Sequence, residues 1–315
     1  SNISLKNTIK LCRYLGTSQP RWSDNSDAES ELQLKYLTND EKGIAVIGLN
    51  RPKAMNAFSR SLVDSLSTTV EHLSHDKDVR VVILRSLVPG AFCTGADLKE
   101  RAKLTQPEVT RFVNRLRFLL TSIEQLPMPV LAAVDGTCLG GGLEMALACD
   151  IRTVSDNALL GLVETKLAII PGAGGTQRLP RILSPALAKE LIFTARTFKG
   201  LAAYEMGICN HCVPQNDTKD AAYLKALELA KEILPNGPIG VKMAKKAIDK
   251  GMQVDLNTGY AIEEACYAQV VPTKDRLEGL KAFAEKRKPE YKGELASAMV
   301  GAFKLTCDQS AFIFV

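Results

Sequence analysis

The run Val130-Leu-Ala-Ala-Val-Asp-Gly-Thr-Cys-Leu-Gly-Gly-Gly-Leu-Glu-Met-Ala-Leu-Ala-Cys-Asp150 constrains this chain more than any other stretch. Val130 to Val134 is a short apolar segment after Pro127 and Pro129, the mark of a buried strand. Gly140, Gly141 and Gly142 make a turn where no Cβ stands between the backbone and a ligand. Leu143 to Cys149 then strings together strong helix formers with one acid, Glu144, in the first turn. A helix that opens beside such a turn presents unpaired N–H groups and the positive end of its dipole, a place for negative charge on oxygen. The triplet alone fits a tight strand–helix packing turn equally well. It is not a dinucleotide fingerprint, because the Gly-x-Gly-x-x-Gly spacing is absent, and no Gly-Lys-Ser/Thr follows to make a P-loop.

The same strand–turn–helix grammar recurs. Ile44 to Leu49 and the β-branched run Val79 to Leu84 read as strands, and so does Ile151 to Val154. Leu62, Val63, Leu66, Val70 and Leu73 recur at helical spacing over Ser59 to Leu73. Val109, Phe112, Val113, Leu116, Leu119, Leu120 and Ile123 do so over Pro107 to Gln125. Alternation on this scale predicts an α/β fold of stacked βαβ units around a mainly parallel sheet. A length of 315 residues, 46% of them hydrophobic, suits one or two domains with a sizeable core. From Pro185 onward the pattern is mostly helical with little strand signal, with helices expected at Ala221 to Leu234, Gly240 to Lys250, Thr258 to Val270 and Pro272 to Lys286.

Two loops supply candidate oxyanion donors. Pro89 to Leu98 reads as a loop in which Gly95 permits an unusual backbone angle and Ala96 is small, so its N–H can face a ligand closely. The N–H groups of Ala96 and Gly141 would form an oxyanion hole if the loops converge, each donor typically worth about 3–4 kcal/mol in a transition state. Glu164 interrupts an apolar stretch, so it must be partnered, with Lys166 or a backbone cap, or functional. Gly172, Gly174 and Gly175 form a second glycine turn ahead of a helix carrying Thr176 and Arg178.

Other chemistries are disfavoured. Cys209-Asn-His-Cys212 lacks a second ligand pair for zinc and reads as structural, so no metal is expected. The eight cysteines lie mostly in apolar stretches, as free thiols in a reducing compartment would. His72 and His75 fall on the exposed side of a helix, and no nucleophile elbow accompanies them. A net charge of +5 decides neither for anionic small ligands nor for nucleic acid. No apolar run approaches the ~20 residues of a membrane span, so no membrane partner is expected. Residues 1–31 are basic and rich in Ser and Thr at their start, with no acid before Asp24, as in a mitochondrial transit peptide or a disordered terminus. Residues 295–315 lack clear periodicity and have no assigned role.

Taken jointly, Asn50-Arg-Pro, Phe92-Cys-Thr-Gly-Ala-Asp-Leu, Asp135-Gly-x3-Gly-Gly-Gly-Leu-Glu, Glu164 and Pro171-Gly-Ala-Gly-Gly-Thr-Gln-Arg resemble the enoyl-CoA hydratase/isomerase (crotonase) family over roughly Leu32 to Glu294. The resemblance implies a spiral of ββα units over 32–230, with the active site, and a C-terminal helical region at 231–294 that makes trimers and a hexamer. It implies that Ala96 and Gly141 bind the thioester oxygen and that Glu144, as base, and Glu164, as acid, flank one water across a 2,3-double bond. Lys53 with Ala96, Asp97, Leu98 and Lys99 would lie along coenzyme A, and Phe283 and Lys286 would reach it from a neighbouring subunit. CoA is part of the substrate, and no separate cofactor is expected. Glu164-Thr-Lys-Leu-Ala-Ile-Ile-Pro and Ile262-Glu-Glu-Ala-Cys-Tyr-Ala-Gln resemble most the mitochondrial branch that hydrates 3-methylglutaconyl-CoA to 3-hydroxy-3-methylglutaryl-CoA in leucine degradation. The alternatives are a short-chain or broad enoyl-CoA hydratase of fatty-acid oxidation and an AU-rich RNA-binding protein with weak or no catalysis. That branch is also described as binding AU-rich RNA through a lysine-rich helix face. Here the corresponding face carries Arg60 but also Asp64 and Thr68, and phosphate needs clustered positive charge, so RNA is disfavoured.

Overall fold

The computed structural model describes residues 30–296. Most of the basic N-terminal stretch and the tail from 297 therefore lie outside the described residues. Strand β1 (Leu32–Tyr36) pairs antiparallel with β2 (Ile44–Leu49), and α1 (Arg60–His75) follows. Ser59 starts α1 by accepting the Leu62 N–H, and the helix buries Leu62, Val63, Leu66, Val70 and Leu73, the stripe expected from the sequence. The chain then winds in repeating turns. The first is β3 (Val81–Ser86), β4 (Ala91–Cys93), a short α2 (Leu98–Arg101) and α3 (Gln106–Glu124). The second is β5 (Val130–Val134), β6 (Thr137–Leu139) and α4 (Gly141–Ala148). The third is β7 (Ile151–Ser155), β8 (Leu159–Gly161), α5 (Gly175–Ile182) and α6 (Pro185–Phe193). Each turn sends its first strand to one sheet and its second to another, with the parallel orders β2-β3-β5-β7 and β4-β6-β8.

Strand β9 (Phe198–Lys199) closes the smaller sheet antiparallel to β8, and after α7 (Gly200–Glu205) the strand β10 (His211–Val213) extends the larger one beside β7. Both faces of the larger sheet are covered. Ala45, Ile47, Val82, Leu84, Ala132 and Val134 face the main core. Their alternates Ile44, Val46, Val81, Ile83, Leu131 and Ala133 pack on Ala226 and Ala230 of α8 (Ala221–Ile233). Asp135 fixes that helix by accepting the N–H groups of Ala222 (2.8 Å) and Tyr223 (3.0 Å). The chain continues into α9 (Pro238–Gly251), α10 (Leu256–Val270) and α11 (Lys274–Glu285), and Lys245 ties α9 to the core through Asp150 at 2.7 Å.

Two expectations need correction. Pro89 to Leu98 is not all loop, because Ala91–Cys93 forms β4. Beyond Pro185 the described residues are mostly helical, as expected, with strand only at the short β9 and β10. The helix after the glycine triplet starts at Gly141 rather than Leu143, because Gly140 at φ 52 makes the turn alone. Strands of two or three residues are too short to show a period. They exist because a neighbouring strand supplies the ladder.

Candidate active site

Parallel pairing of β4 with β6 brings the loops that follow them together. The approach is backbone to backbone. A Cβ on Gly95, whose φ is +88, would stand 3.0 Å from the Leu139 oxygen and 3.1 Å from the Gly141 nitrogen. The peptides around Ala96 are held from the other side, since the Phe58 N–H donates to the Gly95 oxygen at 2.7 Å and the Asp97 N–H to the Phe58 oxygen at 3.2 Å. The N–H groups of Ala96 and Gly141 have no acceptor among the described residues, and both residues line one cavity of about 610 Å³. Convergence, which the sequence left conditional, is realised. Gly141 is the first residue of α4, so its N–H belongs to the free end of the helix.

Helix α4 is buried all round, and Glu144 is its one charged residue, 2% exposed. Its Oε1 accepts the N–H groups of Ala173 (2.9 Å) and Gly175 (2.7 Å). The second glycine turn thus has a definite purpose, which is to hold the Glu144 carboxylate. A Cβ on Gly175 would lie 3.0 Å from that oxygen. Burial pushes the Glu144 carboxyl up from its ordinary value, and the Gly175 and Ala173 N–H groups and the Arg178 and Arg117 charges oppose the shift. Arg178 is itself held by Glu124 at 2.7 Å and by the Ala173 oxygen at 3.1 Å.

Glu164 opens a 3-10 turn, Glu164–Leu167, whose Thr165 hydroxyl donates to the Ile192 oxygen at 2.7 Å. Its Oε2 is buried with no hydrogen-bond partner among the described residues, so neither Lys166 nor a backbone cap satisfies it there. Burial, then the neighbouring Glu144 charge, push its carboxyl up to about 7. Its Oε1 lies against Gly140, where a Cβ would stand 3.2 Å away. Both carboxylates line the cavity that Ala96 and Gly141 line. They are a coupled pair with unequal environments. One is gripped by two amides. The other has an oxygen with no donor and ionises later than an ordinary carboxyl.

The remaining sequence-predicted residues divide. Leu98 lines the cavity. Asp97 does not. It pairs with Arg51 at 2.8 Å and caps α2 by accepting the Lys99 and Glu100 N–H groups, which stiffens the Ala96 loop. Lys53 and Lys99 are exposed and outside the lining, as are Phe283 and Lys286 at the end of α11. Cys209 is buried and Cys212 partly so, and no metal-ligand cluster occurs among the described residues. The sequence reading missed Arg101 and Arg117, which line the cavity, and placed Val109, Phe112 and Val113 on one helix face without seeing that they line it too. Only the later part of that stripe, Leu116, Leu119, Leu120 and Ile123, is buried in α3, and its first turns form the cavity wall.

The chain matches the enoyl-CoA hydratase/isomerase family over residues 39–294. The chain belongs to this family. It is 56% identical to human "Methylglutaconyl-CoA hydratase, mitochondrial" over 87% of its own length and 80% of that protein's. It is 52% identical to human "Enoyl-CoA hydratase domain-containing protein 2, mitochondrial", covering 86% of this chain and 93% of that one. Among solved structures, enoyl-CoA hydratase from Bacillus anthracis superposes with a TM-score of 0.80 at 46% identity, covering 84% of this chain and 100% of that chain. The spiral of ββα units with a helical C-terminal region is therefore the enoyl-CoA hydratase/isomerase fold, as the motifs implied.

Proposed function

We propose that this protein is a hydratase that adds water across the 2,3-double bond of an enoyl-CoA thioester, with 3-methylglutaconyl-CoA as substrate and 3-hydroxy-3-methylglutaryl-CoA as product. The observation that carries the reading is the sharing of one cavity by two carboxyl groups of opposite character and two free loop amides. The Ala96 and Gly141 N–H groups receive the thioester oxygen, which draws electron density from C3 and stabilises the enolate that forms when C3 is attacked. Glu144, whose Oε1 is gripped by the Ala173 and Gly175 N–H groups, takes a proton from water as the oxygen bonds to C3. Glu164, holding its proton near neutrality, delivers it to C2 as the enolate collapses. Loss of the added proton from Glu144 to solvent and reprotonation of Glu164 restore the site.

Relatives named as methylglutaconyl-CoA hydratases support the choice of substrate, and their mitochondrial names, with the basic stretch before Asp24, support a mitochondrial matrix enzyme. Coenzyme A would run past Lys53 and the Ala96 to Lys99 segment, with Phe283 and Lys286 supplied by a neighbouring copy. Exposed Ile248, Met252, Leu256, Tyr260, Leu280 and Phe283 on the C-terminal helices support a homo-oligomer. RNA is not among the proposed partners. On the α1 face where RNA would sit, Asp64 pairs with Arg115, and Arg60 is taken up by Glu100 (3.5 Å) and Glu108 (3.4 Å). A steady-state assay with 3-methylglutaconyl-CoA and crotonyl-CoA tests the proposal. Hydration of the first at the higher kcat/KM is expected. Preference for crotonyl-CoA would make this a short-chain hydratase, and silence on both would refute the enzyme.

A further inference from the structure

The cavity wall is mostly apolar, with Val109, Phe112, Val113, Leu167 and Ile170 among its residues, yet two arginines line it. Arg117 is committed, donating twice to the Gly172 oxygen (2.9 and 2.7 Å) and once to Asn114 (3.3 Å). Arg101, in the last turn of α2, makes no side-chain hydrogen bond or ion pair among the described residues. The acids beside it are already taken, Asp97 by Arg51 at 2.8 Å and Glu100 by Arg60 at 3.5 Å. Its charge is felt by Glu164, which places it on the acid's side of the cavity. A half-buried guanidinium is thus left facing an apolar cavity with all its donors uncommitted, an arrangement that calls for an anion.

We infer that Arg101 selects enoyl-CoA substrates that carry a second carboxylate at the far end of the acyl chain, by forming a paired hydrogen bond with it inside the cavity. The inference rests on the hydratase reading above and deepens it to the residue that recognises the second carboxylate of such a substrate. The guanidinium fork matches a carboxylate with two parallel N–H donors, which an ammonium does not. A neutral acyl chain gains nothing from it. A phosphate of coenzyme A is the other anion within the substrate's chemistry, but it is common to every acyl-CoA and cannot discriminate among them.

Glutaconyl-CoA and crotonyl-CoA differ only by the terminal carboxylate, so the ratio of their kcat/KM values isolates the effect. In Arg101→Gln that ratio falls by at least about tenfold, the scale of a lost charge-assisted hydrogen bond, and Arg101→Lys recovers part of it. Equal losses on both substrates in Arg101→Gln would assign Arg101 to a CoA phosphate or to structure and overturn the inference. So would a ratio unchanged within about threefold, a smaller change than loss of even a weak charged pair produces. A wild-type enzyme that hydrates crotonyl-CoA and ignores glutaconyl-CoA would sink the inference while leaving the hydratase reading intact. Silence of the wild type on both would sink both.

Discussion

Glu164 ionises late because folding removes its carboxyl from water and sets it beside Glu144 without giving its second oxygen a donor. The proton it keeps is the one the reaction needs, so kcat/KM for hydration falls as pH rises through about 7. A pH profile whose alkaline limb lies above pH 9 would remove Glu164 from the role of acid. The same shift fixes a sign for stability. The folded value of about 7 exceeds the ordinary 4.5, so stability is fully kept below the ordinary value and declines as pH rises through the folded one. Glu164→Gln, which cannot ionise, therefore melts at a higher temperature than wild type near pH 8, and the gap closes near pH 5. A gap of equal size at both values in thermal melts would contradict this account. At this scale the sequence was informative where a charge stood among apolar residues, as Glu144 and Glu164 do. It was silent on Arg101, an arginine on a polar turn whose neighbours gave no hint that it faces a cavity.

Elements meet here through their backbones. Helix α4 approaches β4 so closely that a Cβ on Gly142 would stand 2.1 Å from the Cys93 oxygen. Gly142→Ala must therefore push the helix and its Glu144 away from the sheet, and we expect a loss of about 1–3 kcal/mol or more in denaturant unfolding. Wild-type stability in that variant would mean the two elements are not packed as described. At the other end of β5, Asp135 satisfies two N–H groups at the start of α8, so Asp135→Ala is expected to cost about 1–2 kcal/mol by the same measurement. The long amphipathic helices and the fully apolar strands were legible, because burial on one or both faces imposes a period or an unbroken run. The strands of the smaller sheet were not, because three residues carry no period and their pairing partners lie tens of residues away. The second glycine turn was visible as a motif, but its purpose, two amides aimed at Glu144, depends on folding 29 and 31 residues of separation into contact.

The whole molecule leaves an apolar face unfinished. Phe283 is 87% exposed, Met252 81% and Leu256 68%, all on the C-terminal helices or the turn between them. A monomer would hold that surface in water at a cost, so the protein is expected to sediment well above the 34.2 kDa of one chain. Leu280→Asp together with Phe283→Asp should drive it toward the monomer. A wild-type protein that sediments as one chain at micromolar concentration would contradict the homo-oligomer. The overall architecture was legible through joint motifs, since the glycines and acids that build the cavity come from successive turns of one spiral. The central claim is that the carboxyls of residues 144 and 164 work in one cavity, the first taking a proton from the water that adds to C3 and the second delivering a proton to C2. The most direct test is the hydration rate of Glu164→Gln with saturating acyl-CoA, measured beside its acyl-CoA affinity. The account predicts a fall of at least about 100-fold in rate with affinity largely kept. A Glu164→Gln enzyme that turns over at the wild-type rate would contradict it.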